Sequence, residues 1–172
     1  MTSNRKPAQS KIFEPERLAD QLSEWRANGD QIVFTNGCFD ILHVGHIQYL
    51  EAAAALGDRM IVAVNDDDSV QKLKGPSRPI NRLDSRMYLL ASLSCIDGVT
   101  YFREDTPLEI IKTLRPDILV KGGDYTPDTI VGAEEVIQSG GRVEVIPFVD
   151  GFSTTRLESR ILELHRKKSK ES

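Results

Sequence analysis

Only two cysteines, Cys38 and Cys95, occur in 172 residues. That is too few for a disulfide framework, and their spacing matches no metal site, so both read as reduced thiols. No apolar run approaches the ~20 residues that cross a bilayer, and the first ten residues lack the apolar centre of a secretion signal. The expectation is a cytoplasmic chain with no membrane contact. A basic excess is also missing: the formal net charge is -4, which speaks against general nucleic-acid binding and leaves anion affinity to local clusters. There is no GxxxxGK[ST] loop, no Ser-His-Asp arrangement and no internal repeat, so the usual kinase and hydrolase templates lack their key parts. With 40% hydrophobic and 28% charged residues, one soluble domain with a sizeable core is expected. It is placed at residues 13–165, between a disordered lead-in (1–12) and a solvated basic tail (166–172).

Within that domain apolar runs and amphipathic runs alternate. Helix patterns cover residues 14–27, 47–56, 69–73, 84–94, 107–114, 129–139 and 153–165, and short buried strands cover 31–35, 59–65, 98–102, 117–120 and 142–147. Strict alternation predicts parallel βαβ units, hence an α/β fold: a single Rossmann-like, doubly wound, five-stranded parallel sheet. Ligands of such sheets bind beyond the carboxyl ends of the strands.

The most telling stretch follows the first strand: Thr35, Asn36, Gly37, Cys38, Phe39, Asp40, Ile41, Leu42, His43, Val44, Gly45, His46. Two histidines around one glycine stand where a strand turns into a helix N-terminus, a place whose free N–H groups and dipole favour phosphate. Imidazoles there can donate to phosphoryl oxygens, and Gly45 allows close approach. A nucleoside triphosphate site is the simplest reading.

Four further segments come to the same mouth. Lys72, Lys74, Arg78, Arg82 and Arg86, in a stretch broken by Gly75, Pro76 and Pro79, form a basic loop able to close over phosphates. Lys121, Gly122, Gly123, Asp124 and Tyr125 offer exposed amides, a cation and a carboxylate suited to a ribose hydroxyl. Ser153, Thr154 and Thr155, beside Arg156, either cap the last helix or bind a second phosphate. Asn65, Asp66, Asp67 and Asp68 either cap a helix or hold Mg²⁺.

Taken together, the HxGH motif, the basic loop and the late Ser-Thr-Thr resemble the nucleotidyltransferase superfamily that includes the cytidylyltransferases. The blocks around residues 35–43, 62–67, 73–79, 119–125 and 150–155 are similar to those of adenylyltransferases that activate D-glycero-D-manno-heptose 1-phosphate, and the likeness spans residues 30–163. The resemblance implies transfer of AMP from ATP to the sugar phosphate, releasing pyrophosphate and ADP-heptose, for lipopolysaccharide core synthesis in a Gram-negative bacterium.

It also implies roles. His43, His46 and Lys74 would be catalytic. Thr35, Asn36, Gly37, Cys38, Phe39, Asp40 and Gly45 would hold the nucleotide, together with Lys121, Gly122, Gly123, Asp124, Ser153, Thr154 and Thr155. Asn65, Arg78, Arg82 and Arg86 would take the substrate phosphate. Mg²⁺ would be bridged by phosphates rather than held by side chains, and the chain would be a homo-oligomer. Only a short helix precedes the domain, so a stand-alone form served by a separate heptose kinase is expected. Cytidylyltransferases acting on glycerol phosphate carry Arg-Thr-Glu-Gly where this chain has Phe148, Val149, Asp150 and Gly151. A cytidylyl donor with an alcohol phosphate acceptor is the alternative.

Overall fold

The computed structural model describes residues 7–123, 126, 129–147 and 151–168. Five strands, β1 (Ile32–Gly37), β2 (Arg59–Asn65), β3 (Gly98–Phe102), β4 (Ile118–Gly122) and β5 (Arg142–Ile146), form one parallel sheet in the order β3-β2-β1-β4-β5. The helices between them are α1 (Pro15–Ala27), α2 (Val44–Ala54), α3 (Asp67–Lys74), α4 (Leu83–Ala91), α5 (Leu108–Leu114), α6 (Ala133–Gln138) and α7 (Thr154–Lys168). The α/β, doubly wound expectation is met.

Period-2 alternation along β1 explains why both faces need helices. Ile32 and Phe34 point into a core built with Leu18, Leu22 and Trp25 of α1, Ile110, Ile111 and Leu114 of α5, and Val136 of α6. Val33 points the other way, into a core with Tyr49, Leu50 and Ala53 of α2 and Met87 and Leu90 of α4. Burying a side chain such as Phe34 or Leu50, both fully enclosed, contributes on the order of 2–3 kcal/mol each. The winding changes direction between β1 and β4, so the loops that follow these two strands diverge and leave a crevice at their carboxyl ends.

Several local expectations need correction. Residues 8–12 are not a disordered lead-in: Ala8–Lys11 form a 3-10 turn, Ile12 makes a single parallel bridge to Val99, and the Phe13 N–H donates to the Val99 carbonyl at 2.9 Å. Edge strand β3 has open backbone groups, and this segment pairs with one of them, the Val99 carbonyl. Helix α3 begins at Asp67 rather than Ser69, because the Asp66 carboxylate accepts the Ser69 N–H at 2.8 Å and serves as its N-cap. That settles Asp66 as a cap. The run at 129–139 becomes helical only at Ala133, since Gly132 sits at φ 86°, in the left-handed region that breaks a helix. Among the described residues no helix is long and apolar enough to cross a membrane.

Candidate functional site

Strand β1 runs on through Asn36 and Gly37, so the motif leaves the sheet at Cys38 and turns into α2 at Val44. The turn is tight enough to hold Phe39 at φ 46°, a left-handed conformation unusual for a non-glycine residue and costing on the order of 1–3 kcal/mol. Its ring is buried and meets the His46 ring edge-on at 5.3 Å between centroids. Asp40 is fully buried and fixes the turn from below, accepting from the Ile80 and Asn81 N–H groups at 2.8 and 2.9 Å and from Arg78 at 2.7 Å. Burial pushes the Asp40 carboxyl up, but those hydrogen bonds outweigh it and hold it below the usual carboxylate value.

The N-cap of α2 is His43 itself: its Nδ1 accepts the His46 N–H at 3.2 Å. An accepting Nδ1 carries no proton, so neutral His43 bears its proton on Nε2 as a donor. The two imidazoles stack, with centroids 3.8 Å apart and planes 13° from parallel. Burial lowers the pKa of both. For His46, burial together with the neighbouring His43 and Lys74 brings it to about 4, so both rings are neutral donors near pH 7.

These rings form one wall of a cavity of about 670 Å³ at the carboxyl ends of β1 and β4, a size that suits a nucleotide. Asn36, Gly37, Cys38, Lys74, Lys121 and Gly122 line it from the sheet side, and Gly151, Phe152, Ser153, Thr154, Thr155 and Arg156 line it from the start of α7. Lys121 donates to Asn36 Oδ1 at 2.9 Å, and burial pulls its pKa down. Burial also raises the Cys38 thiol, which favours its protonated form. With Lys74, Lys121 and Arg156 on its walls and Asp40 committed to its own partners, the cavity favours an anion. Gly45 belongs here for a steric reason: a Cβ on it would stand 3.0 Å from Phe152 Cβ and 3.2 Å from His43 Nδ1.

The structure therefore gathers most of the expected residues, His43, His46, Lys74, Lys121 and Ser153 to Thr155 among them, but not the arginines. Arg86 is fully enclosed. Its guanidinium donates to the Cys38, Asn65 and Asn81 carbonyls at 2.7, 2.8 and 2.9 Å and to Asp67 at 2.8 Å. Arg78 is equally committed, bonded to Asp40 and Glu158. Arg82 is 91% exposed, 4.0 Å from Asp67, and off the cavity wall. Asn65 is buried, with its amide on Ser69 Oγ at 3.0 Å.

Thr35 is sealed in as well. The Tyr49 hydroxyl donates to the Val120 carbonyl at 3.2 Å, which leaves Thr35 to donate to Tyr49 at 2.6 Å. These contacts bind β1, α2 and β4 together beneath the cavity floor. Gly123 follows β4 but does not line the cavity, and Asp124 lies outside the described residues. Tyr49 and Phe152, both on the wall, were not anticipated. Tyr49 sits one helical turn after His46, where the spacing alone signals a shared face. Phe152 carries no comparable mark.

A parallel five-stranded sheet with neutral histidines at a helix N-terminus and cations across a crevice defines a class, the Rossmann-like nucleotidyltransferase fold. The chain belongs to the cytidylyltransferase-like family, which it matches over residues 34–160. It is 58% identical over 154 residues to the bifunctional protein HldE of Syntrophotalea carbinolica and 59% identical over 146 residues to that of a Marinomonas species, covering 90% and 85% of this chain. In both cases the chain spans 31% of the relative's length. Among solved structures, the lipopolysaccharide core biosynthesis protein of Thermoplasma volcanium superposes with a TM-score of 0.57 at 28% identity, over 70% of this chain and 97% of that one. The pantoate-beta-alanine ligase of Francisella tularensis, at 13% identity and a TM-score of 0.55, over 86% of this chain and 75% of that one, shares the fold.

Proposed function

We propose that this chain transfers AMP from ATP to the phosphate of D-glycero-D-manno-heptose 1-phosphate, forming ADP-heptose and pyrophosphate. The observation that carries the reading is the pair of stacked, neutral imidazoles that share the lining of a nucleotide-sized cavity with Lys74, Lys121 and the first turn of α7. The HldE relatives and the lipopolysaccharide core biosynthesis protein support the named acceptor.

An oxygen of the sugar phosphate is already a nucleophile. It attacks the α-phosphorus of ATP, the bond from that phosphorus to the bridging oxygen breaks, and pyrophosphate leaves with the electron pair. No general base is required, so the protein's part is alignment and charge stabilisation. His43 Nε2–H and His46 donate to the phosphoryl oxygens as their charge grows. Lys74 meets the leaving pyrophosphate, Lys121 and the backbone of residues 36–38 hold the nucleotide, and the Ser153, Thr154 and Thr155 hydroxyls close the far side. Among the described residues no group of three His, Cys, Asp or Glu side chains is placed to hold a metal ion. Mg²⁺ would enter with ATP as part of the substrate and would spread the charge of the phosphates.

Pyrophosphate release by the purified protein, with ATP or CTP and with heptose 1-phosphate or glycerol phosphate, tests this reading. Release with ATP and heptose 1-phosphate alone is expected; release with CTP and glycerol phosphate would overturn donor and acceptor together. His46→Ala should lower turnover by about 10²-fold or more, the cost of removing one well-placed donor to a developing charge, with the circular dichroism spectrum unchanged. Near-normal turnover would remove His46 from the mechanism.

A further inference from the structure

The far wall of the cavity belongs to an element that the rest of the molecule barely covers. Helix α7 leaves Ile161, Leu162 and Leu164 exposed, yet its first turn supplies Ser153, Thr154, Thr155 and Arg156 to the site. What sets that turn at the right distance from the histidines is a question the mechanism above leaves open.

Arg78 answers it. It is 9% exposed and divides its guanidinium between two carboxylates: Nη1 donates to Asp40 Oδ2 at 2.7 Å, and Nη2 donates to Glu158 Oε2 at 2.5 Å. Asp40 stands three residues before His43 and is itself pinned by two backbone N–H groups. Glu158 stands one helical turn after Thr154. The line Glu158–Arg78–Asp40 therefore runs from the α7 wall to the root of the histidine turn. A second approach reinforces it, since Phe152 packs so close to Gly45 that a Cβ there would be 3.0 Å away.

We propose that Glu158 is a positioning residue: through Arg78 and Asp40 it fastens α7 to the histidine-bearing turn and holds residues 153–156 as the far wall of the nucleotide cavity. The proposal rests on the nucleotide reading above. Glu158 touches no reacting atom, so its loss should act on nucleotide binding and leave the chemical step largely alone.

Two measurements on the full chain test this, ATP affinity by calorimetry and the rate of tryptic cleavage after Arg156 and Arg160. Glu158→Gln should weaken ATP binding about two- to fivefold, the size expected when one partner of a half-exposed ion pair is lost. In turnover the same loss should appear in KM for ATP rather than in kcat. Cleavage should be faster than in the wild type, and ATP should slow it. In an Arg78→Ala background Glu158→Gln should add nothing further, because the pair is already broken. If Arg78→Ala does not fold, the single Glu158→Gln variant still decides. Unchanged affinity and an unchanged cleavage pattern would overturn the proposal. A wild-type protein that binds no ATP would sink the nucleotide reading, and the cleavage rates alone would then decide whether Glu158 fastens α7.

Discussion

At the residue scale the site works by keeping its histidines uncharged. Burial lowers both imidazoles, and for His46 the neighbouring His43, stacked at 3.8 Å, and Lys74 add to it. The sign for stability follows. Between the ordinary histidine value of 6.5 and about 4 the unfolded chain binds a proton that folded His46 refuses, so the native state loses stability as pH falls through that window and is unaffected by this group above it. The His46 ring-proton NMR signal should titrate near pH 4, and the urea midpoint should fall more steeply from pH 6.5 to 4 in the wild type than in His46→Gln. A titration near 6.5 would show the ring to be solvated.

Residue types also set how far the sequence could be read. The placement of His43, Gly45, His46 and Lys121 on one cavity was legible, because segments that follow β1 and β4 meet at the same end of the sheet. Arg78 and Arg86 were not, since a solvated guanidinium and a buried one are written with the same letter. For Arg86 a signal did exist. It stands four residues before Leu90 on the inward stripe of α4, where a solvated side chain would be out of place.

At the scale of elements, the close packing of α2 against the segment that leads into α7 sets two effects against each other. Gly45 lies in the first turn of α2, where alanine is the better helix former by up to about 1 kcal/mol. The added methyl would push on Phe152 and on His43 Nδ1. Gly45→Ala should therefore keep or slightly raise the melting temperature while weakening ATP binding, a separation that paired calorimetry and thermal unfolding would show. Equal losses in both would mean the glycine serves α2 rather than the cavity. The alternation of strand and helix was readable from periodicity throughout. The bridge at Ile12 was not, because its partner Val99 lies far along the chain and local pattern holds no trace of such pairing.

At the scale of the whole molecule, Arg86 binds parts that are distant in sequence. Its four acceptors come from the loop after β1, the end of β2, the first turn of α3 and the segment before α4. Arg86→Ala leaves three carbonyls and the part-exposed Asp67 carboxylate without their donor, and should cost about 1–3 kcal/mol, read as a lower urea midpoint. Arg86→Lys, with one ammonium for a forked guanidinium, should recover only part of it. A surface arginine would cost almost nothing.

The order of the elements carries a consequence in time. A ribosome releases the histidine turn before β5 and completes β5 before α7 has emerged, so a growing chain can own all five strands of this sheet while its cavity still lacks the wall that begins at Gly151. Until that wall arrives, a nucleotide meets a shelf and not an enclosure. On the nucleotide reading, an enclosed cavity is then acquired in synthesis only after the sheet itself.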